Sequence, residues 1–181
     1  MDRAIQEQFD RLYSEDRQVQ YQSHMNILET AKQPVDWAYD IWDLLKEDLT
    51  APDAHQRSRA AQYLSYLAIS DPENRILTDF PLIWARTYDE KFVVTRHALQ
   101  AVWRIGLAGD PQLRLVIDHQ IDRFRNCGDE KHAVLIRSDI QRNLRHLYDA
   151  TGDDSIKQHG LVLAAEVKDK KYQKRYKDIW K

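Results

Sequence analysis

The chain says nearly the same thing twice. DEKFVVTRHALQ, residues 89–100, is echoed about forty residues later by DEKHAVLIRSDIQ, residues 129–141, with acid, base, apolar run, arginine and glutamine in the same order. The prolines keep the same beat: Pro34, Pro72 and Pro111 lie 38 and 39 residues apart, and the last two follow Asp71 and Asp110. An Asp-Pro pair suits a helix start, because the carboxylate accepts from orphan N–H groups and proline at the first helical position has no N–H to lose. Asp153-Asp154 keeps the acid at the next expected place.

Between these marks the apolar residues fall at helical spacing. Trp37, Ile41, Leu44 and Leu45 form one stripe, Ile76, Phe80, Ile83 and Trp84 a second, and Leu113, Ile117, Ile121 and Phe124 a third. Each precedes a polar break (APDAH, YDEK or CGDEK) and a second stripe: Ala60, Ala61, Leu64, Leu67; Val94, Ala98, Val102, Ile105; Ala133, Ile136, Ile140, Leu144, Leu147. The unit is helix, tight turn, helix. Two such helices cannot bury both apolar faces alone, whereas stacked copies bury them against each other. The expected fold is all-α: a right-handed α-solenoid of about four helix–turn–helix repeats. Residues 34–152 hold three repeats, 1–33 an N-terminal capping pair (Ile5, Phe9, Leu12; Val19, Ile27, Leu28), and 153–181 a C-terminal cap. In that cap Tyr172, Tyr176, Ile179 and Trp180 form a docking stripe and the lysines face water.

Composition narrows the function classes. With 43% hydrophobic and 31% charged residues the chain is neither disordered nor membrane-embedded in type. No stretch nears the roughly 18 consecutive apolar residues of a membrane span, and the charged N-terminus has no apolar core, so a cytoplasmic location is expected. Cys127 is the only cysteine and sits beside Gly128 at a turn, which reads as structural. The seven histidines form no i, i+4 pair, and no phosphate loop, nucleophile elbow or zinc-protease motif occurs. No metal, cofactor or catalytic residue is therefore expected. The acids Asp36, Asp40, Asp43 and Glu47, interleaved with Trp37, Tyr39 and Trp42 on the helix that begins at Pro34, read as a solvated face and as charge favoured near a helix N-terminus.

Phe80-Pro81-Leu82-Ile83, Asp89, Arg96, Ala98, Val102, Ile105 and Gly106 together resemble a HEAT repeat, an armadillo-like unit. The resemblance extends to Asp53 with Arg57 or Arg59 and to Asp129 with Arg137, over residues 34–152; Pro81 has no counterpart in the other two units. It implies a structural ladder of ion pairs between neighbouring repeats, built from Asp53 and Arg57, Asp89 and Arg96, Asp129 and Arg137. It also implies that the second helices line a concave binding face.

Those helices are basic. Residues 55–70 and 92–108 carry Arg57, Arg59, Arg96 and Arg104 with no acid, in a chain of net charge −2. With the ladder arginines set aside, Arg59, Tyr63, Tyr66, His97, Gln100, Arg104, Gln141, Arg142 and Arg145 remain as binding candidates, in types that concentrate interface energy. The expected function is a non-enzymatic scaffold, monomeric or weakly oligomeric, that binds an acidic or extended protein or peptide. The alternative is nucleic-acid binding or base excision, of the DNA-alkylation-repair kind, by resemblance to alkylpurine DNA glycosylases, with Trp84, Trp103 and Asp139 in a cleft. The near-neutral charge and the lack of a motif match weigh against it.

Overall fold

The computed structural model describes all 181 residues, as ten α-helices and three short 3₁₀ segments with no strand. The helices are α1 (Arg3–Arg11), α2 (Arg17–Thr30), α3 (Ala38–Asp48), α4 (Ala54–Leu67), α5 (Arg75–Ala85), α6 (Phe92–Ala101), α7 (Asp110–Asn126), α8 (Ala133–Thr151), α9 (Asp154–Glu166) and α10 (Lys170–Asp178). Aspartate opens five of them: the carboxylates of Asp2, Asp16, Asp53, Asp153 and Asp169 accept N–H groups of their own first turns. Each such cap is worth about 1 kcal/mol.

The two Asp-Pro pairs behave differently. Pro111 lies in the first turn of α7, but Gly109 and not Asp110 holds the cap position and no side chain caps that helix. Helix α5 begins only at Arg75, beyond Pro72, after Asn74 turns the chain at φ 55°. Asp71 still serves that start, because its carboxylate accepts from the N–H groups of Arg75 and Ile76 and from the Tyr39 hydroxyl. Likewise α3 starts at Ala38 and not at Pro34.

Each odd-numbered helix packs on an even-numbered neighbour, and the even-numbered helices also touch in order: α2 on α4, α4 on α6, α6 on α8, α8 on α10. Along this line four side-chain hydrogen bonds join residues 39 apart: His24 with Tyr63, Ser58 with His97, Gln100 with Asp139, and Gln141 with Trp180. That offset matches the spacing of the prolines.

The apolar stripes expected on α4, α6 and α8 are buried throughout, as are Trp37, Ile41 and Leu45 on the α3 side and Ile76, Phe80, Ile83 and Trp84 on α5. Leu44 points to solvent. Helix α7 is the larger correction. Leu113, Ile117 and Ile121 are only half-buried, while Gln112, Val116, Gln120 and Arg123 face inward beside Phe124. Arg123 accounts for the rotation: it donates to the Thr87 carbonyl, pairs with Glu130 and lies 3.9 Å above the Tyr88 ring.

The ion pairs also depart from the expected ladder. Arg57 makes a bidentate pair with Asp89 (2.8 and 3.0 Å), and Arg96 makes one with Asp139 (2.8 and 2.9 Å). Each arginine thus takes its acid from the next unit. Asp89 does not reach Arg96, and Asp129 does not reach Arg137. Asp53 is occupied with the N-terminus of α4, and Asp129 is exposed. Arg137 donates to the Phe124 carbonyl and rests over the Phe124 ring. The observed pairs are the better-buried option, since Asp89 and Asp139 side chains are 2% and 1% exposed.

At the C-terminal end Trp180 closes against Gly160, where an added methyl would meet the ring at 2.0 Å. Its Nε1–H donates to Oε1 of Gln141 (2.6 Å), whose amide donates to the Gly160 carbonyl (3.0 Å).

Two measurements follow from these contacts. Arg96→Met leaves the buried Asp139 carboxylate without its guanidinium and should cost about 3 kcal/mol in denaturant unfolding. Arg125→Met, which opens an exposed pair with Glu166, should cost under about 1 kcal/mol. Trp180→Ala, or truncation after Val167, should lower the melting temperature by roughly 10 °C; an unchanged melting curve would refute the docking role of the C-terminal helix.

Candidate binding basin on the even-numbered helices

A cavity of about 370 Å³ opens between α2, α4 and α6. Its walls are Arg17, Gln20, Tyr21 and His24 from α2, His55, Ser58, Arg59 and Gln62 from α4, and His97 from α6. No carboxylate lines it. Helix α4 contains no acid, and the nearby caps Asp16 and Asp53 turn to the N–H groups of their own helices.

The tautomers of the two inner histidines are assigned from their hydroxyl partners. The Tyr63 hydroxyl, buried beneath the basin, lies 2.8 Å from Nδ1 of His24 and has no other acceptor within reach. Its proton is therefore shared with Nδ1, and the ring hydrogen sits on Nε2. Ser58 Oγ accepts from the Gln62 amide (3.2 Å) and is 2.8 Å from Nδ1 of His97. The same reasoning puts the His97 hydrogen on Nε2. In both rings Nε2 points away from the supporting hydroxyl.

Both imidazoles are held neutral. Burial, then the Arg59 charge, then the neighbouring His97, push His24 down to about 4. Burial, then Arg96 and His55, lower His97. Every charged neighbour that acts on either ring is basic. Arg59 anchors one Nη on the Leu12 carbonyl (3.1 Å) and keeps Nε and the other Nη free. Arg17 and Arg59 join no ion pair, and neither does Arg104 farther along. The basin carries basic side chains that join no ion pair, with Asp48 behind Arg59 as the acid whose charge reaches it.

Arg104 forms a second cationic station, on the 3₁₀ segment 102–107. Its guanidinium lies 4.1 Å from the Tyr66 ring centroid and 4.8 Å from that of Trp103, and Trp103 stacks on His146 at 4.8 Å. Arg142 is exposed, with only a long contact to Asp139 (3.4 Å).

The expected binding residues thus divide. Arg59 and His97 meet in the basin, and Tyr66 and Arg104 meet at the second station. Gln100 donates to Asp139 and supports the ion pair there. Tyr63 and Gln141 are corrections: both are fully buried, Tyr63 under the basin and Gln141 beneath Trp180, because their polar ends serve contacts between helix pairs. Arg145 pairs with Asp149 and donates to the Ile179 carbonyl, so it ties down the chain's end. Arg17, His24 and His55 escaped the sequence reading, although His24 lies one 39-residue step before Tyr63.

Other candidates are committed elsewhere. Trp84 packs on Phe80 and His119, while Asp139 is bound by Arg96, so these residues and Trp103 sit in separate contacts. Asp40 pairs with the N-terminal amine and Asp43 with Arg75. No group of three or more His, Cys, Asp or Glu side chains is arranged to hold a metal ion. Cys127 is buried, and burial pushes its thiol up, away from the reactive thiolate.

Compared with known proteins, the chain matches no family model and no curated protein.

The low His24 value carries a pH prediction. A histidine at about 6.5 unfolded and about 4 folded takes up its proton preferentially in the unfolded chain. Its contribution is complete above pH 6.5 and is lost as pH falls toward 4, by on the order of 2–3 kcal/mol. Melting curves at about pH 7 and about pH 4.5 should separate more for the native chain than for His24→Gln.

Proposed function

We propose that the chain is a non-enzymatic, HEAT-like α-solenoid scaffold that holds an acidic, extended protein segment along its even-numbered helices. The repeat reading is supported by the four hydrogen bonds at a 39-residue offset and by the unbroken contact from α2 to α10. The observation that carries the binding reading is the pair of cationic stations, Arg17 with Arg59 and Arg104, none of which joins an ion pair. Uncompensated charge attracts a partner of opposite sign and orients it on approach. A partner that brings carboxylates completes these pairs at little ordering cost to the scaffold, because Arg59 is already positioned by Leu12 and Arg104 by Tyr66 and Trp103.

The nucleic-acid alternative draws less support. Single strands bind by stacking bases on free aromatic faces, and the Tyr66 and Trp103 rings are already covered by Arg104 and His146.

A fluorescent Glu-rich peptide, followed by anisotropy at low salt, tests the scaffold reading. Arg104→Glu with Arg142→Glu should weaken binding roughly tenfold or more, whereas Arg3→Glu, on the exposed side of α1, should leave it unchanged. Equal loss in both variants would reduce the attraction to bulk charge. Preference for an oligodeoxynucleotide over the peptide would favour the alternative.

A further inference from the structure

We infer that the basin between α2, α4 and α6 receives a phosphate monoester, carried by a phosphorylated side chain of the partner segment; this rests on the scaffold reading of the same face. The charged side chains of the walls are all basic, and Gln20, Tyr21 and Gln62 add groups that both donate and accept. In the tautomer assigned from the Tyr63 and Ser58 contacts, His24 and His97 each carry a hydrogen on Nε2. Arg59 offers Nε and one Nη, and Arg17 and His55 stand at the rim with no protein partner for their side chains. A carboxylate side chain among them would oppose an anion, and none is present.

Shape argues for a tetrahedral group over a planar one. Side chains of three helices line the cavity, so an occupant is met from more than one side. A carboxylate offers two oxygens in one plane, whereas a phosphate monoester offers three terminal oxygens and close to two negative charges. A phosphodiester has only two free oxygens and needs a path for the chain on both sides. The volume of about 370 Å³ lies at the small end of the range for ligand sites, about 300–1,000 Å³, and suits a headgroup on a short side chain.

The supporting contacts explain why the donors are ready. Tyr63 and Ser58 hold the imidazoles in one tautomer and one orientation, so little order is lost on binding. Because these rings donate while neutral, capture of the anion does not wait for their protonation. The same two bonds link α2 to α4 and α4 to α6, so the basin keeps its shape wherever the helix pairs keep their register.

Isothermal titration of the full chain tests this with four probes: a Glu-rich peptide with one phosphoserine, the same peptide with Glu in its place, inorganic phosphate, and an oligothymidylate. The phosphopeptide should bind roughly tenfold or more tighter than the Glu version. Arg17→Glu, a change on an exposed residue, should weaken both peptides but the phosphopeptide more, so that the gain disappears; an undiminished gain in this variant overturns the placement of the phosphate in the basin. Ser58→Ala should shrink the gain and also shift the His97 Nε2–H resonance, a readout that general destabilisation would not mimic. Equal affinity for the two peptides overturns the phosphate assignment and leaves the scaffold reading standing. Binding of inorganic phosphate or oligothymidylate as tight as the phosphopeptide overturns the assignment to a phosphorylated side chain. Absence of binding by either peptide removes the scaffold reading itself.

Discussion

No helix pair in this chain can bury all of its apolar surface by itself. Helix α4 shows the constraint most clearly: Ala60, Ala61, Leu64 and Leu67 are all buried, yet they need α3 on one side and α6 on the other to become so. Helix α6 meets the same demand with α4 and α8. Apolar burial therefore runs along the chain from pair to pair, and the ends need special closure. Trp180 supplies it at one end, against a glycine that leaves room for its ring.

Apolar surfaces alone would let neighbouring pairs slide. Directional contacts within the interfaces remove that freedom: two bidentate arginine–carboxylate pairs and four hydrogen bonds at a common 39-residue offset. Two of those hydrogen bonds also set the histidines of the basin. Structure and candidate site thus share the same atoms, which places the candidate basin at the junction of α2, α4 and α6 and on no single helix.

The helical stripes were legible in the sequence because period and polarity are local properties, and those of α4, α6 and α8 are buried as their spacing indicates. Helix α7 was misread. Its Leu and Ile residues suggest one face, but Arg123 finds the Thr87 carbonyl, Glu130 and the Tyr88 ring together, and those partners lie inward. The ion pairs were misassigned for a related reason. Asp89 and Arg96 are close in sequence, yet Arg57 lies nearer in space to that carboxylate. Among the site residues Arg59 and His97 were identifiable from the basic second helices, whereas Arg17, His24 and His55 were not, because an N-terminal pair read only as a cap gives no reason to look there.

The sequence by itself determined the elements, their period and the separation of acidic from basic helices, since each depends on spacing within a few turns of chain. Tertiary structure decided which acid each arginine meets, which glutamines and tyrosines are buried, and which side chains share a cavity. Those outcomes depend on the offset at which one helix pair rests on the next, a quantity set by packing between residues about forty positions apart and invisible in any one segment.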